Sequence, residues 1–223
     1  GFSTEENINI DSSESDVKLT IGGNETANFA VFAPKSKSVN LTGNENIFTV
    51  NAEIGNVAIG IEAQADSNVV IGNENSNNIM NISSDQWIFG IRAAGVDKDT
   101  QGAYVTINGK SFVLNAECTN SDADGSVYGL YAQNFTTEAE EGKRAKLVVN
   151  AENTIINVKS ASEGTASGLV AMSQGILEVN SNIEVNADNA ILARGEAIVK
   201  INESGEKTTK LNGDINFNYD GPT

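Results

Sequence analysis

Histidine is absent from this chain, and in 223 residues cysteine and tryptophan each occur once and proline twice. Each scarcity closes off chemistry. Without histidine the commonest general base and the commonest metal ligand are gone. The single Cys118 excludes an internal disulfide and a cysteine-based zinc site. Basic residues are scarce too: 14 Lys+Arg stand against 30 Asp+Glu, a net charge of −16. Phosphate recognition needs clustered cations, so a nucleic-acid partner is excluded, and docking on an anionic bilayer is disfavoured by the same sign. No apolar run approaches the roughly 20 residues of a spanning helix, so this segment is not expected to insert in a membrane. Gly1 begins no charged-then-apolar leader, and any export signal is expected to have been removed or to lie outside this segment.

Asparagine and glycine are abundant instead, at 30 and 21 residues. One short motif recurs: a small residue, an aliphatic, a free position, then Ala. Its copies are Ala30-Val31-Phe32-Ala33, Gly60-Ile61-Glu62-Ala63, Gly90-Ile91-Arg92-Ala93, Gly129-Leu130-Tyr131-Ala132, Gly168-Leu169-Val170-Ala171 and Ala190-Ile191-Leu192-Ala193. Their final alanines are 30, 30, 39, 39 and 22 residues apart. A second apolar pair follows each copy: Val39/Leu41, Val69/Ile71, Val105/Ile107, Leu147/Val149, Leu177/Val179 and Val199/Ile201. Measured from the motif Ala it comes after 6, 6, 12, 15, 6 and 6 residues, so the third and fourth turns carry insertions of six and nine. A third set closes each turn: Phe48/Val50, Met80/Ile82, Phe112/Leu114, Ile156/Val158, Ile183/Val185 and a degenerate strand ending at Leu211.

Apolar residues two apart, rich in β-branched types, specify strands with one buried face. Three short strands per turn, repeated with loops of varying length, predict an all-β parallel β-helix of about six to seven turns. Residues 1–223 read as one solenoid segment, expected to be cut from a longer one. Asn51, Asn108, Asn115, Asn150, Asn180, Asn186, Asn202 and Asn212 sit where strands end. Asparagine tolerates a left-handed corner, and its amide can bond to its counterpart one rung away, so a structural role is expected.

The repeated strand, carried best by Ile59-Gly60-Ile61-Glu62-Ala63, Phe89-Gly90-Ile91-Arg92-Ala93 and Tyr128-Gly129-Leu130-Tyr131-Ala132, resembles the passenger domains of type V autotransporters. The Asn-rich corners, acidic charge and cysteine poverty share that resemblance. It implies a right-handed β-helix, threaded unfolded through an outer-membrane β-barrel and folded at the bacterial cell surface. The barrel itself is absent from this segment.

Catalytic options are few. The row one position before each motif Ala reads Phe32, Glu62, Arg92, Tyr131, Val170, Leu192, one acid and one base where glycoside hydrolysis needs paired acids. Other acids, such as Asp97/Asp99 and Glu138/Glu140/Glu141, fall in loops. Asp122-Ala123-Asp124-Gly125 has the alternation of a calcium loop but lacks its distal ligands, so neither a metal nor a cofactor is expected. Cys118 reads as inert. Trp87 and Phe89, counted by twos, share the inward parity of Ile91 and Ala93 and read as core; a sugar-stacking platform would need them outward.

The same count puts Gly60, Gly90, Gly129 and Gly168 outward. A glycine strip there costs strand propensity and suggests close approach by another chain along a flat surface flanked by Glu62, Arg92 and Tyr131. The insertions at 95–103 and 133–146, with Phe135 inside the longer, mark a second candidate surface. The expected function is a non-enzymatic surface adhesin mediating cell–cell or host attachment or self-association, through Glu62, Arg92, Tyr131, Phe135, Gly90 and Gly129. Its partner would be a cell-surface protein or glycan, or another copy. The competing readings are a polysaccharide-active enzyme of the pectin lyase kind and a ligand-free spacer.

Overall fold

A strand with apolar residues at every second position can bury one face only by stacking on neighbours that do the same. In the computed structural model 70% of the residues are in strands, and 11 parallel strands curl 296° round an axis. The chain is a parallel β-helix. All residues are described except 1, 4–6, 11–14, 24–26, 53–56, 96–99, 121–124, 136–138, 162–163 and 219–223.

Successive turns stack with the motif in register, Ala33 on Ala63, Ala93, Ala132, Ala171 and Ala193. The second strand runs through Ile8, Val39, Val69, Val105, Leu147, Leu177 and Val199 in the same way. The first turn has three separate strands, Ala27–Ala33, Ser38–Leu41 and Glu45–Ala52; in the third and fourth the second and third strands merge as Tyr104–Cys118 and Lys146–Ser160. The insertions thus leave the stacking untouched. The third strand departs from expectation by two residues: Met80 pairs with Leu114, not Phe112, and Ile156 with Val185, not Ile183. A slip of two preserves the face each side chain takes, so a period-two pattern cannot detect it.

Asparagines do stack, and mostly within extended strands. Asn115 Nδ2 donates to Asn81 Oδ1 at 2.9 Å, Asn157 to Asn115 at 2.9 Å, Asn186 to Asn157 at 2.8 Å and Asn212 to Asn186 at 2.6 Å. A second ladder joins Asn180, Asn150 and Asn108. The left-handed corners fall elsewhere, to Ser36, Asp66 and Gln174, each three residues past a motif Ala; among the described asparagines only Asn202 has positive φ.

The glycines overturn the parity count. Gly60, Gly90, Gly129 and Gly168 point into the solenoid, and so do the aliphatic residues that follow them. A β-carbon on Gly90 would lie 2.5 Å from the Gly129 carbonyl oxygen and 2.6 Å from Leu114 Cδ2. On Gly129 it would lie 2.5 Å from the Gly168 carbonyl oxygen and 3.1 Å from Ile156 and Val158 methyls. None of these four glycines has positive φ, so space is what glycine supplies. Gly90 and Gly129 are therefore core positions, not parts of an outward contact strip. Two consecutive inward residues reverse the alternation, so Trp87 and Phe89 face outward, contrary to expectation.

Replacing Gly90 or Gly129 with Ala is predicted to cost about 1–3 kcal/mol by overpacking. Ile91→Asp, which leaves an unpaired charge between rungs, is predicted to cost about 3–5 kcal/mol. Denaturant unfolding checks both, and glycine variants as stable as the parent would contradict the inward placement.

Candidate functional site

The reversal at the glycine brings two outward columns side by side on the first sheet. One is the column preceding the small residue: Phe29, Ile59, Phe89, Tyr128. The other is Phe32, Glu62, Arg92, Tyr131, Val170, Leu192. Strands stacked about 4.8 Å apart hold rings on neighbouring rungs within contact distance. Phe89 and Tyr128 stack at 5.2 Å, Phe89 and Tyr131 meet edge-on at 5.3 Å, and Tyr128 lies 5.3 Å from Tyr131. Trp87, 41% exposed, extends the group with its ring 6.2 Å from Tyr128.

Arg92 sits at the centre. Its guanidinium lies 5.1 Å from the Phe89 ring centre, 6.0 Å from that of Tyr131 and 5.7 Å from that of Phe135. Nη1 donates to Glu62 Oε2 at 3.3 Å, while Nε is buried with no hydrogen-bond acceptor. Surrounding π faces offset that loss, each such contact being worth about 0.5–2 kcal/mol. Tyr131, Val170 and Leu192 form a small apolar cluster separate from the main core, with Phe89, Tyr128 and Met172 packed against it. Tyr131 is only 6% exposed, and its hydroxyl donates to Gln133 Oε1 at 2.8 Å. Burial pushes its phenol from 10.0 up to about 12, with Arg92 pulling the other way.

The insertions of the third and fourth turns meet along one side of this surface. Phe135 N donates to the Gly95 carbonyl at 3.1 Å and Gly102 N to that of Lys143 at 2.7 Å. The Gln101 amide and the Tyr104 hydroxyl both donate to the Gly142 carbonyl at 3.0 Å. Buried Asn134 accepts from Ala145 N at 3.0 Å and donates to the Gln174 carbonyl at 3.3 Å, and Gln174 Oε1 accepts from Ala139 N at 2.9 Å. These bonds tie the longer insertion to the fifth turn and leave Phe135, 57% exposed, standing at the edge of the ring cluster.

Of the residues expected at a binding surface, Glu62, Arg92, Tyr131 and Phe135 come together, and Gly90 and Gly129 lie on the opposite side of the same strands. Phe89, Tyr128 and Trp87 join them unforeseen. A signal existed for the first two: Phe29, Phe89 and Tyr128 all occupy the position just before the small residue of the motif. Cys118 is fully buried. Asp97, Asp99 and Glu138, and the calcium-like pair Asp122 and Asp124, lie outside the described residues. Among the described residues no helix is long and apolar enough to cross a membrane. Comparison with family models, curated proteins and solved structures gives no match.

The buried phenol yields a pH prediction. A group whose folded pKa exceeds its unfolded value of about 10 contributes stability that is whole below that pH and lost as pH rises through the folded value. Tyr131 should therefore contribute to alkaline unfolding between the ordinary tyrosine range and about 12. Phenolate absorbance in Tyr131→Phe, set against the parent, isolates its titration, and Arg92→Met should move that titration higher still. A Tyr131 phenolate forming at the ordinary tyrosine value would contradict its burial.

Proposed function

We propose that this chain is a non-enzymatic bacterial surface adhesin of the autotransporter-passenger kind. On this reading it is a β-helical stalk displayed outside the cell, anchored by an outer-membrane barrel that is not part of this segment. It would mediate attachment to another cell or a host surface through the aromatic–arginine surface of the third and fourth turns. One observation carries the reading: Trp87 and Phe135 stand 41% and 57% exposed beside a ring cluster fixed to a rigid sheet. Exposed rings on a preordered scaffold lose little entropy on binding and gain much contact area.

The competing readings fit less well. An enzyme of the paired-acid type needs a free carboxylate beside a second one, whereas Glu62 is held by Arg92 at 3.3 Å in a row with no other acid. A spacer gains nothing from exposed tryptophan and phenylalanine, which favour aggregation. Self-association must overcome the repulsion of two chains at −16 each, so homotypic contact would strengthen with added salt.

Cells displaying the chain supply the test. Trp87→Ala with Phe135→Ala should abolish most attachment while the chain keeps its β-rich far-UV circular dichroism, because neither ring is part of the interior core. Attachment equal to that of the parent chain would overturn the assignment of this surface.

A further inference from the structure

The binding surface has a shape and a charge that narrow its ligand. Its rings belong to a stripe along the rod: Phe29 and Phe32 (5.1 Å apart) in the first turn, then Ile59, then Phe89, then Tyr128. From Phe29 to Tyr128 is three rung steps, about 14 Å. The Phe89 and Tyr128 planes differ by 29° with centres 5.2 Å apart, so these two rings stack on one another and form a packed base from which Trp87 and Phe135 stand exposed.

Charge is balanced within it. Arg92 and Glu62 neutralise one another, and Arg194 stands two rungs beyond Gln133 in the column Gln133, Met172, Arg194. The rest of the molecule carries a large negative excess. An acidic ligand would gain little locally and be repelled globally. A second copy of the chain meets the same repulsion. A folded protein partner needs about 800 Å² on each side with an apolar centre. Only Trp87 and Phe135 among the large apolar side chains of this surface are exposed, the others being half-buried or buried.

We propose that the surface binds a neutral glycan chain lying along the rod axis, a proposal that rests on the adhesin reading. The C–H faces of pyranose rings, slightly positive, stack on the exposed rings of Trp87 and Phe135, which the packed Phe89, Tyr128 and Arg92 hold in place. The Gln133 amide, whose Oε1 holds the Tyr131 hydroxyl at 2.8 Å, presents its nitrogen to sugar hydroxyls at the margin.

Trp87 is the chain's sole tryptophan, so its fluorescence reports on this surface alone. The 223-residue chain is titrated with cellotetraose, mannotetraose and chitotetraose, and with tetragalacturonate as the acidic counterpart. At least one neutral tetrasaccharide should shift the emission saturably, tetragalacturonate should not, and Phe135→Ala should weaken binding about tenfold while the far-UV circular dichroism of the fold is kept. No shift with any neutral sugar at millimolar concentration, or equal binding of tetragalacturonate, overturns the proposal. Attachment of displaying cells separates the two levels of the argument. Loss of attachment after periodate treatment of the target surface is the expected result. Attachment that survives periodate yet fails in Trp87→Ala rejects the glycan and keeps the surface. Attachment indifferent to both Trp87→Ala and Phe135→Ala rejects the adhesin reading itself.

Discussion

In four of the six turns one point of the first strand lies so close to its surroundings that even a β-carbon has no room, and in the other two the same position holds a buried Ala, Ala30 or Ala190. Built onto Gly60, Gly90 or Gly129, a β-carbon would stand 2.5 Å from the carbonyl oxygen of the glycine one rung on. The third strand closes the space from the other side, with Leu114 against Gly90 and Ile156 and Val158 against Gly129. A small residue thus lets two neighbouring positions both turn inward, Ala30 with Val31 and Ala190 with Ile191 as well as the four glycine copies, and glycine is required where the β-carbon itself has no space. The bend this makes in the first strand sets which side chains emerge on either side of it. Everything on the outer surface of that sheet follows, including the adjacency of Phe89 and Tyr128 to Arg92 and Tyr131.

Around that constraint the solenoid is held by ordinary means. Aliphatic columns fill the interior, with Val105, Leu147, Leu177 and their neighbours fully buried. Asparagine ladders fix the register on the outside, each amide replacing a water contact with a bond to the rung below, worth about 0.5–1.5 kcal/mol net. Because the ladders and columns are indifferent to what lies between strands, the third and fourth turns can carry insertions without disturbing the stack. Those insertions, hydrogen-bonded to each other at Gly95, Gly102 and Gly142 and to Gln174, wall the ring cluster instead of dangling from it.

How much of this was legible in the sequence depends on what each signal encodes. The spacing of Ala33, Ala63, Ala93, Ala132, Ala171 and Ala193, and the constant step to the next strand, carried the architecture, since stacking demands equivalence between turns. The asparagine ladders were legible for the same reason. Parity was not, because counting by twos fails across a residue whose neighbour shares its side, and Gly90 and Gly129 gave no local sign of facing in. The two-residue slip at Phe112 and Ile183 was invisible by construction. Arg92, Tyr131 and Glu62 could be placed in one outward row, but their enclosure by Phe89, Phe135 and the insertion depends on bonds between segments 40 residues apart, such as Asn134 to Gln174, which no local pattern records.

The reversal at the glycine is the central claim, and Trp87 reads it directly, being the sole tryptophan and two residues from Phe89. Quenching of its fluorescence by acrylamide and iodide in the folded chain measures the side of the sheet it occupies. An outward Trp87 predicts red-shifted emission and efficient quenching by acrylamide, with the iodide effect weaker because of the negative field of the protein. Blue-shifted emission that neither quencher touches would put the indole in the core, restore the simple alternation, and dismantle the aromatic surface with it.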